Sequence, residues 1–339
     1  MEQDTIWPTM IFVKQKDHVH MHVEASDEGI TKEISDFFTF EVPGASFMPS
    51  YRNRHWDGKI RLYNLSRREL YVGLLPYLLE FAKQLEYEVK LEMGEIGEEM
   101  SRDEVKEFAS RLKLHSNWKP IQIRDYQEDA VFDAINGGRT LLLSPTASGK
   151  SLIIYNLARY HHALGRKQLI VVPTTSLVEQ MYGDFADYST HNGFDVSKYC
   201  HRIYGGKEKT NKADIVISTW QSIYKYPKKW FEEFDVVYGD EAHLFKAKSL
   251  MTLMDKCTNA RFRIGTTGTL DGTKTHRLVL EGVFGKVYKV TTTKKLMDKK
   301  ELAELKIVCM LIEYTDCLLY TSDAADEGLG VDLGGRRII

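Results

Sequence analysis

Short apolar runs alternate with longer segments of helical periodicity through residues 121–265. Runs of four or five residues rich in Val, Ile and Leu are typical of strands buried on both faces of a parallel sheet. We predict such strands at residues 140–143, 168–172, 214–218, 234–238 and 261–265. Strands alternating with helices predict an α/β fold with a doubly wound parallel sheet, which binds ligands beyond the carboxyl ends of its strands.

Helices are predicted where start and stop signals bracket the pattern. One covers residues 125–135 and is stopped by Asn136-Gly137-Gly138, and another runs to about residue 164 and is ended by Gly165. The spacing of Ser176 and Glu179 is that of a capping box, which predicts the start of the helix after the second strand.

The first ninety or so residues mix short strand-like and helix-like pieces and predict a smaller α+β domain. A single strand over residues 11–23 would place His18, His20 and His22 on one face. A metal site there is the alternative to a solvated polar face, but the spacing fixes no carboxylate or cysteine partner. Residues 74–87 carry an apolar stripe of helical spacing, which predicts a core helix.

Residues 47–68, which we call the basic segment, contain six cations and the single acid Asp57, with Tyr51, Trp56 and Tyr63 between them. Clustered cations can neutralise phosphates and aromatic rings can stack on bases. Asp57-Gly58 predicts a hairpin turn, so a solvated basic hairpin is an equally good interpretation. The cations are Arg52, Arg54, Lys59, Arg61, Arg67 and Arg68.

A phosphate-binding loop is predicted at residues 144–151, between a strand and a helix. Small residues let the backbone close around phosphate oxygens at the amino end of the helix. Lys150 would reach the outer phosphates and the Ser151 hydroxyl would hold Mg²⁺. The common pattern has glycine where this chain has Ser144, and chance similarity is the alternative. The wrapping residues are Pro145, Thr146, Ala147, Ser148 and Gly149.

Asp240-Glu241-Ala242-His243 comes directly after another predicted strand. A carboxylate that faces a phosphate loop is expected at such a position. Asp240 would hold Mg²⁺ through its water shell, and Glu241 would orient and help deprotonate the attacking water. The alternative is that the two motifs are only structural turns. The order of the two motifs, each after a strand, favours a nucleotide triphosphatase.

Composition places few further limits on function. The chain has 339 residues and a net charge of −2, which predicts two domains and no global attraction to nucleic acid or membrane. Four cysteines without a C-x-x-C pair fit a reducing compartment and indicate no zinc site. The absence of a signal-like start and of a long apolar run predicts a cytoplasmic protein with no membrane contact.

Together these residues resemble the first motor domain of superfamily-two helicases, which implies a RecA-like sheet, ATP and Mg²⁺ as cofactors, and DNA as partner. Arg124 and Gln127 match the adenine-reading motif, residues 144–151 match motif I, where serine at the first position is usual, and Ala147 replaces a more frequent glycine. Asp240 to His243 match the DEAH motif, with Ser151 and Asp240 as the implied metal ligands.

The remaining helicase motifs imply nucleic-acid contacts and coupling. The resemblance implies that motif III couples the ATP site to nucleic acid by way of His243, and that two further motifs contact the strand. The coupling residues are Thr267, Gly268 and Thr269. The strand-contacting residues are Pro173, Thr174, Thr175, Thr219, Trp220 and Gln221.

Residues 38–62 and 172–175 are similar to the recombination helicases of T-even phages, over roughly residues 10–315. This implies a monomeric branch-migration motor for branched or forked DNA, with RNA in hybrids as a further substrate, active in recombination and repair in the host cytoplasm. It also implies that the N-terminal domain grips duplex DNA. The implied contacts there are Arg52, Arg54, Lys59 and Arg61.

The domain division expected from these patterns has five parts. They are a nucleic-acid-binding domain at 1–95, an acidic connector at 96–120, a motor domain at 121–295, a link at 296–316 and a tail at 317–339. Residues 317–327 resemble translated sequencing adapter, so we expect a non-native tail on a fragment that lacks a second motor domain; a genuine acidic, Gly-rich tail is the alternative. The resemblance then implies an ATP-hydrolysing helicase in the full-length parent and a nearly inactive fragment. The alternative functions are a translocase subunit of a restriction or remodelling system, and a nucleic-acid-binding module without turnover.

Overall fold

Most strands of the computed structural model, which describes residues 9–205, 213–244, 247–270, 274–303 and 308, belong to a four-stranded or a seven-stranded sheet. The first unit contains β1 (Met10–Gln15), β2 (His20–Ala25), β3 (Thr39–Glu41), β4 (Lys59–Arg61), β5 (Glu69–Tyr71) and β6 (Glu88–Glu92). The hairpin β7 (His115–Ser116) and β8 (Lys119–Pro120) follows. The second unit contains β9 (Arg139–Leu143), β10 (Gln168–Val172), β11 (Cys200–Ile203), β12 (Ile215–Thr219), β13 (Val236–Gly239), β14 (Phe262–Thr267) and β15 (Val287–Lys289).

Helices alternate with these strands. The first unit and the connector contain α1 (Glu28–Phe37), α2 (Pro49–Arg52), α3 (Leu75–Gln84) and α4 (Arg102–Arg111). The longer helices that follow are α5 (Asp125–Gly137), α6 (Lys150–Ala163), α7 (Thr175–Tyr188), α11 (Ala247–Met254) and α12 (Lys274–Phe284). The shorter ones are α8 (Val196–Tyr199), α9 (Trp220–Ile223), α10 (Lys228–Phe231) and α13 (Thr293–Asp298). None of the helices described is long and apolar enough to span a membrane.

The seven-stranded sheet has the order β11-β12-β10-β13-β14-β9-β15, and every pairing in it is parallel. The predicted doubly wound α/β fold is therefore confirmed, preceded by a small α+β unit. Because β13, β14 and β9 are neighbours, the loops after them meet at one edge of the sheet. The predicted strand at 168–172 has the observed bounds, and the others agree to within two residues at each end.

The first unit is built on the mixed sheet β5-β2-β1-β6, whose core is packed by α1 and α3. Ile11 and Met21 of the sheet, Ile34 of α1 and Leu78 of α3 are fully buried in this core. The predicted core helix at 74–87 corresponds to a single turn of 3-10 helix followed by α3.

Three local predictions were wrong. Residues 11–23 form an antiparallel hairpin of β1 and β2, so His18 lies in the turn and only His20 and His22 share a strand. Asp57-Gly58 is not the turn of a two-residue hairpin, because β4 pairs with β3 across a long insertion. The cap of α7 is Thr174, whose hydroxyl accepts from the Leu177 N–H at 3.3 Å, instead of Ser176. No cluster of potential metal ligands occurs within the described ranges.

The two units share an interface centred on α12. Leu278 and Val279 of α12 belong to the hydrophobic core of the first unit. A Cβ at Gly73 would lie 2.1 Å from the Glu281 carbonyl oxygen, so the backbones touch. The Tyr71 hydroxyl donates to Asp255 at 3.1 Å. The first unit is thus packed firmly on the second.

The connector predicted at 96–120 is largely structured. Helix α4 begins with a capping box between Ser101 and Glu104 and packs on α5. Its Val105, together with Leu112 and Leu114, is buried in the core of the second unit. The division at 1–95, 96–120 and 121–295 stays a prediction, and the predicted tail at 317–339 lies outside the described residues.

Candidate functional site

The loop between β9 and α6 is closed by its own side chains. The buried Ser144 and Ser148 hydroxyls lie 2.6 Å apart, and Ser148 also donates to the Pro145 carbonyl at 2.6 Å. Serine in the first position therefore has a structural use that glycine could not supply. Ala147 and Gly149 both have left-handed backbone, with φ of 64° and 78°. Such conformations turn successive N–H groups into a concave nest suited to anions.

Lys150 joins this loop to the loop after β13. Its ammonium group contacts the Glu241 carboxylate across a cavity of about 290 Å³. Thr146, Ala147 and Gly149 line one side of the cavity, and Asp240 and Glu241 line another. The structure thus brings the two predicted motifs together around one space.

Helix α7 forms a wall of the same cavity that sequence reasoning missed. Leu177, Gln180, Met181 and Asp184 face the space. The Ser151 hydroxyl lies 3.0 Å from the Tyr188 hydroxyl at the end of the same helix. No local motif marks these positions, since they differ from other helix surface residues only in how α7 packs on α6.

Asp240 is almost fully buried at the carboxyl end of β13. Burial raises the pKa of its carboxyl, and a 2.6 Å hydrogen bond from the Thr266 hydroxyl opposes that shift. Hydroxyl and carboxylate oxygens are the ligands that Mg²⁺ prefers, usually one or two per site with water and phosphate completing the shell. Ser151 and Asp240, which both line the cavity, fit that pattern.

Gln127 connects the start of α5 to the phosphate loop. The buried side chain accepts from the Arg124 N–H at 3.0 Å and donates to the Ser148 carbonyl at 2.8 Å. A Cβ at Gly149 would lie 2.3 Å from the Gln127 amide nitrogen, so this position requires glycine. Arg124 forms an ion pair with Glu301 at 3.2 Å. The adenine-reading role of these side chains stays a prediction.

A chain of contacts runs from Glu241 to the loop after β14. His243 Nδ1 lies 3.3 Å from the Glu241 carboxylate and 2.8 Å from the Thr267 hydroxyl. The Thr267 hydroxyl also contacts the Thr269 carbonyl at 2.7 Å. A Cβ at Gly268 would lie 3.6 Å from the Lys150 ammonium nitrogen, so the predicted coupling residues adjoin both motifs.

The predicted strand-contacting residues lie in the loops after β10 and β12, which are neighbouring strands. The Gln221 amide donates to the Pro173 carbonyl at 3.2 Å and bridges the two loops. Thr174 and Thr175 are exposed at the start of α7, and the Thr219 hydroxyl contacts Ser222 at 2.8 Å. Trp220 is only half-buried, against Tyr224.

Most of the basic segment is exposed, but Leu62 and Tyr63 are buried in the core of the first unit, so Tyr63 is not available to stack on a base. The cations of the segment differ in their surroundings. Arg61 pairs with Asp57 at 2.5 Å and lowers the pKa of that carboxyl to about 2. Lys59 lies 3.9 Å from Glu41. Within the described part of the chain, Arg52 and Arg54 have no carboxylate partner.

A groove of about 390 Å³ brings the basic segment up to the second unit. Arg61 and Arg67 line it from the first unit, and Lys228 and Thr258 line it from the second. Cations of both units therefore border one groove, together with the carboxylates of Asp17, Glu69 and Asp255.

Comparison with known proteins gives matches along both units. Residues 10–92 match the family described as DNA helicase UvsW, N-terminal, and residues 120–272 match the type III restriction enzyme res subunit. The ATP-dependent DNA helicase uvsW of Enterobacteria phage T4 is 37% identical over 307 residues, which cover 88% of this chain and 60% of the phage protein. The chain therefore spans less than two thirds of that relative.

Two solved structures of the phage T4 protein also match. One crystal structure of the UvsW helicase is 36% identical, has a TM-score of 0.74, and is aligned over 82% of this chain and 99% of that one. A second has a TM-score of 0.76 at 36% identity and covers 83% of this chain and 57% of that one. The resemblance includes both units in a single arrangement.

Proposed function

Because this chain belongs to the UvsW family of superfamily-two DNA helicases, we propose that it carries the nucleotide-binding half of an ATP-dependent motor that acts on branched or forked DNA. The observation that carries the proposal is the Lys150–Glu241 contact across the cavity, because it joins a phosphate loop to a DEAH motif. We further propose Mg²⁺·ATP as cofactor, RNA in hybrids as a further substrate, and action as a monomer in a host cytoplasm.

Some of the cavity residues bind the nucleotide and the cation, and others take part in hydrolysis. Backbone N–H groups around Ala147 and Gly149 and the Lys150 ammonium group bind phosphate oxygens, and Ser151 and Asp240 hold the cation. Bound Mg²⁺·ATP supplies the phosphoryl group and the charge that steadies it. Lys150 then exchanges Glu241 for phosphate, which leaves the Glu241 carboxylate free to accept the proton of the attacking water.

Coupling to DNA follows the contacts of His243. The Nδ1 atom of this side chain lies near both the Glu241 carboxylate and the Thr267 hydroxyl, so a change at the carboxylate alters the loop after β14. The Asp240 N–H also donates to the Val171 carbonyl at 2.9 Å, which ties the DEAH loop to the strand that ends at Pro173. Positions 173–175 and 219–221 then bind strand phosphates through hydroxyl and N–H groups.

A restriction-type translocase is the second candidate, because residues 120–272 match a res subunit. That match covers motor motifs which both classes share. The UvsW N-terminal match at residues 10–92 favours the recombination helicase.

The test is steady-state ATPase, with and without forked DNA, in the longer protein of which this chain is expected to be a fragment, because the chain alone is expected to hydrolyse ATP very slowly. Lys150→Ala and Glu241→Gln should each lower DNA-stimulated turnover at least ~10²-fold, because each removes a group aimed at charge or proton transfer in the transition state. Forked-DNA binding should persist in both. Lys167→Ala, which removes an exposed cation paired with Glu233, is the matched control and should leave turnover unchanged. Turnover of Lys150→Ala within a few-fold of the unsubstituted protein would refute the assignment.

A further inference from the structure

The insertion between β3 and β4 exposes large apolar side chains at its surface. Phe47 is 76% exposed, and Met48 and Tyr51 are about 40% exposed. We call these three residues the aromatic tip. A soluble protein gains nothing in stability from apolar groups in water, so a cluster of them together marks an interaction site.

The aromatic tip is held in a defined shape. The Val42 N–H donates to the Gly58 carbonyl at 2.8 Å and closes the base of the insertion. The Met48 N–H donates to the Ala45 carbonyl at 2.9 Å. A Cβ at Gly58 would lie 3.0 Å from the Tyr51 ring, so that ring packs on the backbone of the base. Because the insertion is already ordered, it loses little conformational entropy when a ligand binds.

Cations without acidic partners border the aromatic tip. Arg52 and Arg54 follow it directly and have no carboxylate partner within the described ranges. They line an open cleft of about 630 Å³ together with Tyr51, His55, Trp56 and Asp57, whose carboxylate is paired with Arg61. The surface thus offers aromatic faces and positive charge side by side. A nucleic-acid strand with exposed bases has the complementary chemistry.

We propose that the aromatic tip binds unpaired bases at a DNA branch point, with Phe47 stacked on a base and Arg52 and Arg54 on the adjoining phosphates. The inference rests on the proposed function as a DNA motor. Bases in an intact duplex are stacked on one another, and their edges are read by hydrogen bonds that Phe47 and Met48 cannot make. A base face is open to an aromatic side chain only where pairing is interrupted.

Equilibrium binding to two DNAs tests the proposal with the full chain. One DNA is a fork with 2-aminopurine, a fluorescent adenine analogue, unpaired at the branch, and the other is a fully paired duplex of the same sequence. The proteins are the unsubstituted chain, Phe47→Ala, Phe47→Trp and Trp118→Ala. Trp118, in the β7–β8 hairpin, is 77% exposed and serves as the matched control.

Phe47→Ala should weaken fork binding about five- to hundredfold, the effect of removing one base–aromatic stack, and abolish the 2-aminopurine fluorescence change. Its duplex affinity and its salt dependence should stay within twofold. Phe47→Trp should restore fork binding, and Trp118→Ala should behave like the unsubstituted chain.

Three results would overturn the proposal. If Phe47→Ala left the fork affinity and the fluorescence change as they are in the unsubstituted chain, no base would stack on Phe47. The aromatic tip would then be a binding site for a protein partner. Equal losses of affinity on fork and duplex would show general packing instead of base recognition. If the unsubstituted chain binds neither DNA, this inference and the proposed function both fail, whereas fork binding that does not change on substitution of Phe47 refutes the inference alone.

Discussion

Ala147 is predicted to be the most strained residue of the phosphate loop, and replacing it with glycine should stabilise the protein. Its φ of 64° lies in the left-handed region, which costs an L-residue with a Cβ about 1–2 kcal/mol. Glycine removes that cost but gives the unfolded chain more freedom, which is worth about 0.5–1 kcal/mol against it. The balance favours Ala147→Gly by about 0.5–1 kcal/mol.

Two further substitutions in the same region calibrate the effect. Ala163→Gly changes an exposed residue at the end of α6, where the left-handed strain is absent, and should destabilise by about 0.5–1 kcal/mol. Gly149→Ala should destabilise by about 2–3 kcal/mol, since it adds left-handed strain and drives a Cβ to 2.3 Å from the Gln127 amide nitrogen. That contact would also disrupt the bond from Gln127 to Ser148.

Urea unfolding of the full chain, followed by circular dichroism, measures all three free energies of unfolding. The expected order of stability is Ala147→Gly, the unsubstituted chain, Ala163→Gly and Gly149→Ala. If Ala147→Gly were destabilised as much as Ala163→Gly, the left-handed backbone at position 147 would cost nothing, and the argument from backbone strain would be wrong.

Three more predictions concern DNA, the interface and pH. Replacing Arg52, Arg54 and Arg61 with alanine should reduce the log–log salt slope of duplex binding by ~0.9 for each phosphate that is no longer neutralised, with ATP binding unchanged. An unaltered slope would show that these three arginines are solvated surface. Gly73→Ala should cost about 1–3 kcal/mol in urea unfolding, because its Cβ would meet backbone oxygen at 2.1 Å. Gly183→Ala, in open space inside α7, should instead stabilise the protein by about 0.5–1 kcal/mol. Burial lowers the pKa of His161 to about 3, so the unfolded chain takes up this proton first as the pH falls. This group alone should lower stability by up to about 1.4 kcal/mol per pH unit below pH 6.5, and His161→Gln should remove that contribution.

The sequence predicted the second unit better than the first, for a physical reason. Strands such as β10 are buried on both faces, so their apolar runs are unbroken and easily recognised. Of the two strands that were missed, β11 interrupts its apolar residues with His201 and Arg202, and β15 has only three residues. Both lie at the edges of the sheet, where one side needs no strand partner.

The structure of the first unit was predicted less well, because local sequence patterns there are compatible with two different structures. Alternation over residues 11–23 fits one long strand or two short ones, and only the turn in which Asp17 accepts from the Val19 and His20 N–H groups decides between them. In the same way Asp57 accepts from the Lys59 N–H at 3.1 Å, but it closes a long insertion instead of a hairpin. The sequence could not predict that α7 forms a wall of the cavity, because only tertiary packing places α7 there.

The interface between the units gives the candidate DNA contacts a mechanical connection to the proposed ATP site. Helix α12 is the next helix after β14, whose last residue is Thr267, and α12 supplies Leu278 and Val279 to the core of the first unit. The Tyr77 hydroxyl also contacts Glu281, which is completely buried. Interior packing of this kind transmits displacement because it has no free volume to absorb it. A shift of β14 that follows a change at Glu241 would therefore move the first unit as a body, and Gly73→Ala should weaken the effect of ATP on fork binding more than it weakens either binding event alone.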